Sequence, residues 1–92
     1  MIIIKSQQEI AKMAIAGRIV AEILEELKKI IRPGVTTLDL DRHAEDFIAR
    51  KGARPAFKGY RSYPSAICAS INNQVVHGIP SASIVLTEGD II

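Results

Sequence analysis

The 92-residue sequence is poor in the residues that build disulfide frameworks, aromatic clusters and membrane spans. It has one cysteine, no tryptophan, two phenylalanines and two tyrosines. Cys68 has no partner within the chain, which excludes an internal disulfide and fits a reducing cytosol. Apolar runs such as the three isoleucines at 2–4 fall far short of the about 20 residues that a membrane span needs. We therefore expect a cytoplasmic protein with an aliphatic core and no association with a membrane.

Several catalytic and cofactor motifs are also missing from the sequence. It contains no nucleophile elbow, P-loop or dinucleotide fingerprint, and its two histidines and one cysteine lack any zinc-binding spacing. The net charge of +2 is too small to indicate nucleic-acid binding by itself. With 48% hydrophobic and 24% charged residues, the composition is typical of one small globular domain, residues 1–92.

The first predicted element is a helix of roughly 25 residues. It begins after Ser6, which forms a capping box with Glu9, and it ends at Pro33 and Gly34. Its apolar residues recur at spacings of three and four: Ile10, Met13, Gly17, Val20, Leu24, Leu27 and Ile31, widened by Ile15, Ile19 and Ile23. This stripe favours packing on a sheet over a coiled-coil seam, in which the glycine would leave a hole.

A second helix is predicted over residues 36–52. Thr36 and Asp39 form another capping pair, and Gly52 suits the left-handed turn at the C-terminus. The buried stripe is Leu40, Ala44, Phe47 and Ile48, whereas His43 lies one position off it and is expected at the surface.

Two aspartates in this second helix, Asp39 and Asp41, form a D-x-D pattern that is also seen in metal sites. Helical residues two positions apart point about 200° apart, and acidic residues in a first turn interact favourably with the helix dipole. We therefore expect neither of them to bind a metal ion.

The second half of the chain predicts β-structure. Residues 66–71 alternate bulky and small side chains as a strand does, and Asn72 and Asn73 suit a tight turn, so 66–77 is a candidate hairpin. Residues 83–86 form a candidate short strand, and residues 88–90 form a candidate turn. The last two isoleucines could begin another strand. Because the sequence stops there, we expect it to be the front part of a longer domain.

Two features remain as candidates for chemistry. One is the series Phe57, Tyr60 and Tyr63, spaced by three in a loop, and the other is His77 at the end of an apolar run. On pattern alone the aromatic residues could simply cover the core, and the histidine could be a hydrogen-bonded residue at a strand end. A binding site remains the alternative.

The block FKGYRSYPSAICASINNQVVHGIP at 57–80, followed by LTEGDII at 86–92, resembles the N-terminal part of a bacterial type I methionine aminopeptidase. The likeness also includes the EIAKM segment of the first helix and the TTLD start of the second, so it extends over essentially the whole chain. It implies an α+β fold, the N-terminal half of a pita-bread fold, with two helices packed on an antiparallel sheet. It also implies removal of the initiator methionine from nascent proteins.

The resemblance assigns roles to five residues. His77 matches the histidine that contacts the scissile amide and the developing tetrahedral centre, which makes it both catalytic and substrate-binding. Tyr60, Tyr63 and Cys68 match positions that line the pocket for the methionine side chain, and Phe57 matches a variable wall position. A flexible, polarizable thioether suits such aromatic and sulfur neighbours.

The family uses two divalent metal ions (cobalt, manganese, iron or zinc) held by two aspartates, one histidine and two glutamates. These ligands are all expected beyond residue 92, and no acidic residue of this chain matches one of them. The resemblance therefore predicts part of a substrate pocket, no metal centre in residues 1–92, and no activity of the chain alone. The implied partners are the N-terminal methionyl peptides of nascent chains, which the enzyme would encounter close to the ribosome.

Two other functions are compatible with the sequence. The segment RKGARPAFKGYRSY at 50–63 interleaves five cations with three aromatic residues, as an RNA-binding or ribosome-binding module would. Alternatively, the half-fold could serve in assembly without catalysis. We expect self-association, or pairing with a missing C-terminal half, because exposed apolar faces and sheet edges attract partners.

Overall fold

Two α-helices dominate the computed structural model, which describes all residues 1–92. α1 spans Gln7–Ile30 and α2 spans Thr37–Arg50, and a single 3-10 turn covers Tyr60–Ser62. At about 1.5 Å per residue, the 24 residues of α1 give a rod of about 36 Å. Neither helix combines the length and the apolar character that crossing a membrane requires.

Both predicted capping boxes are present. The Ser6 hydroxyl accepts a hydrogen bond from the Glu9 amide at 3.1 Å, and the Glu9 carboxylate accepts one from the Ser6 amide at 3.1 Å. Thr36 and Asp39 repeat this exchange at 3.1 and 2.9 Å. These bonds to the charged form hold the pKa values of both carboxyl groups below their ordinary values. The predicted starts of both helices are therefore confirmed.

The packing of α1 departs from the prediction. Only Ile23 and Leu27 of its apolar stripe are buried, and they pack against α2 rather than against a sheet. The large apolar side chains of the first half remain exposed, including Ile10, Met13 and Ile15. The first half of α1 thus projects beyond the core, and its part of the apolar stripe remains exposed.

The core forms between the last two turns of α1, the apolar stripe of α2 and parts of the later loops. Leu40, Ala44 and Ile48 of the predicted stripe are buried, and Phe47 is half-buried. From the second half of the chain, Ala66, Ile71 and Leu86 join the same cluster. Gly52 adopts the predicted left-handed conformation at φ 72°, which ends α2.

The predicted antiparallel sheet is absent, and so is the 66–77 hairpin. The structure contains no strand, only an isolated antiparallel bridge between Thr36 and Val85. The candidate strand 83–86 is reduced to this bridge, although the predicted turn at 88–90 does form, with Gly89 at φ 90°. The prediction that the two helices pack on an antiparallel sheet was therefore wrong for this chain.

Side-chain acceptors explain why residues 66–78 do not form a ladder. The amides of Ala66 and Ile67 donate to the Asp41 carboxylate, and the Gly78 amide donates to the Ser70 hydroxyl. One backbone bond joins the two arms, from the Ala69 amide to the Gly78 carbonyl at 2.7 Å. Because side chains take up amides that a ladder would use, the segment is held in place without becoming a regular strand.

Candidate functional site

A tight loop presents the predicted aromatic residues. Within 57–63, the Gly59 amide donates to the Tyr63 carbonyl at 2.8 Å, and the Tyr60 amide donates to the Phe57 carbonyl at 3.0 Å. Gly59, Arg61 and Ser62 all have positive φ, at 82°, 48° and 64°. Such conformations are costly for residues with a Cβ and persist only where the surroundings hold them.

Phe57 and Tyr63 form the centre of this loop. Their rings meet edge to face at 6.2 Å between centroids with an interplanar angle of 82°, an arrangement that aromatic pairs prefer. The Tyr63 hydroxyl donates to the Ile67 carbonyl at 2.9 Å. Burial and the neighbouring Cys68 thiol raise the pKa of Tyr63 to about 12, so the hydroxyl remains a donor at physiological pH.

Two apolar cavities lie next to Cys68, which is half-buried. One, of about 470 Å³, is bounded by the apolar face of α1, residues 53–57 and residues 66–68, and Phe57 and Cys68 both line it. The other, of about 480 Å³, lies between α1 and residues 67–75 and also includes Cys68. The predicted pocket residues Tyr60, Tyr63 and His77 lie outside both cavities.

The Tyr60 side chain points away from both cavities and into solvent. Its side chain is 62% exposed, and the Arg61 guanidinium lies over its ring at 5.3 Å from the centroid. The structure therefore brings Phe57, Tyr63 and Cys68 together through ring contact, hydrogen bonding and a shared cavity, whereas the Tyr60 ring faces solvent.

His77 is exposed and has a left-handed backbone, with φ of 58°. Beside it, Gly78 is buried, and a Cβ at that position would stand 2.3 Å from the Ala69 carbonyl oxygen. The close approach of these two backbones allows the Ala69–Gly78 hydrogen bond to form immediately next to the histidine. The side chain is thus attached to a firmly held point, although no hydrogen bond or aromatic contact links it to the Phe57–Tyr63 pair.

Two buried residues that the sequence analysis did not assign to a site are central to this architecture. Thr37 is fully buried, and its hydroxyl accepts from the Ser81 amide at 2.9 Å and donates to the Ser81 carbonyl at 3.2 Å. Asp41, 5% exposed, accepts from two amides of the 66–67 segment. A signal was available for Asp41, because it lies on the same helical face as Leu40, Ala44 and Ile48.

No group of three His, Cys, Asp or Glu side chains in residues 1–92 could hold a metal ion. Asp39 caps α2 and Asp41 binds backbone amides, so the two carboxylates of the D-x-D pattern have separate structural partners. His43, expected at the surface, is instead half-buried, with its Nε2 atom 3.8 Å from a Glu26 carboxylate oxygen and without a hydrogen bond. A pair of metal ions does not fit the donor set of this chain.

The cations of the 50–63 segment are partly engaged within the molecule. Lys51 pairs with Glu22 at 2.7 Å, and Lys58 pairs with Glu45. Arg50 and Lys51 also lie over the Phe47 ring. These contacts reduce the positive charge that the segment presents to a polyanion.

Comparison with known proteins identifies close relatives over the whole chain. The model of metallopeptidase family M24 matches residues 11–92. A methionine aminopeptidase of Clostridium acetobutylicum is 60% identical over 92 residues, and methionine aminopeptidase 1 of Bacillus subtilis is 54% identical over 92 residues. Each match covers 100% of this chain and 37% of the relative, so the chain spans just over a third of the length of these relatives.

Solved structures agree with the sequence matches. The methionine aminopeptidase from Thermotoga maritima superimposes with a TM-score of 0.95 at 44% identity, and that from Rickettsia prowazekii with 0.92 at 39% identity. Both matches cover 98% of this chain and 36% of the solved chain. The path of residues 1–92 is therefore that of one part of a pita-bread fold, even though its own sheet is absent.

Proposed function

Because the chain belongs to metallopeptidase family M24, we propose that it supplies the substrate-pocket portion of a methionine aminopeptidase. The complete enzyme would remove the initiator methionine from nascent proteins in the cytoplasm, close to the ribosome. One observation carries this proposal: 98% of the chain superimposes on a solved methionine aminopeptidase, with a TM-score of 0.95 and 44% identity.

The proposed pocket for the methionine side chain is built around Phe57, Tyr63 and Cys68. The edge-to-face ring pair and the thiol beside the 470 Å³ cavity support this assignment, because aromatic edges and sulfur favour a thioether. Tyr60 completes the wall in this proposal and would have to turn inward on substrate binding. Its ring is exposed, and this movement would break its contact with the Arg61 guanidinium.

His77 is proposed to contact the scissile amide. A neutral imidazole can donate one hydrogen bond to the oxygen of a developing tetrahedral centre, which lowers the free energy of the transition state. Its exposure and its backbone at φ 58°, next to the buried Gly78, support this role. Conformations of this kind are concentrated at functional sites.

The divalent metal pair of the family, with cobalt, manganese, iron or zinc as candidate ions, would supply an activated water in the complete enzyme. Residues 1–92 have no donor set for it, so we assign no ligand in this chain. The part of the function proposed here is to bind and orient the methionyl peptide.

The proposal is tested by a chimera in which residues 1–92 replace the matched segment of the Clostridium acetobutylicum methionine aminopeptidase. Hydrolysis of a Met-Ala peptide should occur with kcat/KM within about tenfold of the parent, since core differences at this identity cost little. The 92-residue chain alone is the control and should give no turnover above a blank without protein. A folded chimera without turnover would contradict the proposal.

RNA binding is the second candidate, and it has weaker support. Lys51 and Lys58 are paired with carboxylates, and the Tyr60 ring is covered on one face by Arg61. Single-strand binding needs free cations and free ring faces. Affinity for a single-stranded RNA that falls steeply between 50 and 200 mM salt, as counterion release would cause, would favour this function over the peptide pocket.

A further inference from the structure

The side chain of Asp41 is a buried carboxylate that the proposed function does not use. It lies in the second turn of α2, is 5% exposed, and points toward the loop that follows the aromatic residues. Its Oδ1 atom accepts from the Ala66 amide at 2.8 Å and from the Ile67 amide at 3.0 Å. A single oxygen atom therefore fixes two successive peptide groups.

Ile67, which donates the second of these bonds, also holds the tyrosine through its carbonyl group. The Ile67 carbonyl accepts a hydrogen bond from the Tyr63 hydroxyl at 2.9 Å, and the Tyr63 ring packs edge to face with Phe57. Cys68 follows Ile67 directly. The carboxylate is thus connected through Ile67 to Tyr63 and Cys68, and through the Tyr63 ring to Phe57.

A second contact from α2 supports the other end of the loop. Glu45, one helical turn after Asp41, pairs with Lys58, the residue next to Phe57. The helix therefore contacts the aromatic loop near its start, at Lys58, and binds the segment just after it, at residues 66–67. The pair is exposed and contributes little, whereas hydrogen bonds from buried amides to a charged acceptor are strong.

We propose that Asp41 is the positioning residue of the methionine pocket: through the Ala66 and Ile67 amides its carboxylate sets the place of the Tyr63 ring and the Cys68 side chain. This inference rests on the proposed function. It implies that Asp41 governs how well the pocket fits a methionyl side chain, although Asp41 itself touches no substrate.

The kinetic test uses the chimera described above and three variants. Asp41→Ala leaves the buried Ala66 amide and the partly buried Ile67 amide without an acceptor. It should raise KM for the Met-Ala peptide by about tenfold or more and reduce the preference for methionyl over norleucyl substrate, with kcat within a few-fold. Asp41→Asn retains an acceptor oxygen and should restore KM to within about threefold. Asp39→Ala, which removes only the capping carboxylate of the same helix, should lower Tm and leave KM and substrate preference unchanged.

A merely structural role would give a different result. Partial unfolding lowers the concentration of active molecules, so the apparent kcat would fall while KM and the methionyl preference stay constant. That outcome in Asp41→Ala overturns the inference. If the alanine variant does not fold, Asp41→Ser, whose hydroxyl is too short to reach both amides, is measured with the same expectations.

A second measurement on the 92-residue chain separates this inference from the proposed function. In proton NMR spectra, cross-relaxation between the Phe57 and Tyr63 rings and slow exchange of the Ile67 amide should be present in the unsubstituted chain, in Asp41→Asn and in Asp39→Ala. Both should be lost in Asp41→Ala. If the unsubstituted chimera lacks activity, the proposed function fails while this measurement still decides the positioning role. Unchanged NMR contacts in Asp41→Ala overturn it.

Discussion

At the scale of single residues, His77 and Gly78 occupy adjacent and unusual backbone positions. The histidine has φ of 58° although it carries a Cβ, and the glycine is pressed against the Ala69 and Ser70 backbone. The bonds from Ala69 to Gly78 and from Gly78 to Ser70 fix this point. The exposed imidazole is therefore attached to a backbone that has little freedom to move.

The first prediction concerns His77. In the chimera, His77→Ala should lower kcat by about 10²–10³-fold and leave KM within a few-fold, because a donor used mainly in the transition state is lost. Steady-state kinetics with Met-Ala peptide, normalised to folded protein, provide the measurement. Wild-type kcat in this variant would exclude the catalytic role.

The second prediction compares two glycines. Gly78→Ala should destabilise the chain by more than about 1 kcal/mol, because its Cβ would meet backbone atoms that cannot turn aside. Gly17→Ala is the matched control: it lies inside α1 with nothing within 4 Å of the added carbon. The control should stabilise by about 0.5–1 kcal/mol through helix propensity. Urea unfolding of both variants checks this, and equal effects at the two sites would refute it.

At the scale of elements, α2 is the organising unit of the molecule. Its start is joined to residues 81–86 through Thr37 and through the Thr36–Val85 bridge, and its second turn is joined to residues 66–67 through Asp41. One helix therefore holds two loops that are distant in sequence. The same helix contacts the aromatic loop, which contains the 3-10 turn, through the exposed Glu45–Lys58 pair.

Thr37 provides the prediction at this scale. Thr37→Val keeps the shape of the side chain but removes the hydroxyl oxygen that accepts from the Ser81 amide. The free energy of unfolding should fall by about 1–3 kcal/mol, since a buried amide loses its acceptor. Thr36→Ser, which preserves the helix cap, should change stability by less than about 0.5 kcal/mol. Equal stability of Thr37→Val and the unsubstituted chain, measured by urea unfolding, would contradict the prediction.

At the scale of the whole molecule, the chain is more extended than a closed domain of its length. Its radius of gyration is 14.9 Å, whereas about 12 Å is expected for 92 residues. Its accessible surface is 7050 Å², against about 5,200 Å² for a compact 10 kDa protein. Large apolar side chains contribute to this surface, and Val20 and Leu24 of α1 are 55% and 62% exposed.

We therefore predict that the isolated chain associates with itself. Extended apolar surfaces of this size attract partners in water, so light scattering at rising concentration should give a mass above 10.0 kDa. Leu24→Lys should shift the distribution toward the monomer, whereas Glu25→Lys, at the exposed neighbouring position, should not. A monodisperse monomer at every concentration would count against the prediction.

Local chemistry in the sequence was sufficient for the helices. The pairs Ser6–Glu9 and Thr36–Asp39 act over three residues, and Gly52 ends its helix through its own φ. Because these interactions are completed within one turn of chain, they can be read without any knowledge of the fold. The five predicted site residues depended on a family resemblance, and their roles stay predictions.

Only the tertiary structure showed which residues far apart in the sequence are in contact. Asp41 meets amides 25 and 26 residues away, and Thr37 meets Ser81 across 44 residues. The Asp41 contacts hold residues 66–67 in an irregular segment instead of the predicted hairpin. No other element covers the first half of the apolar stripe of α1. Sequence periodicity indicates that a face is apolar, but only the arrangement of the other elements determines whether that face is covered.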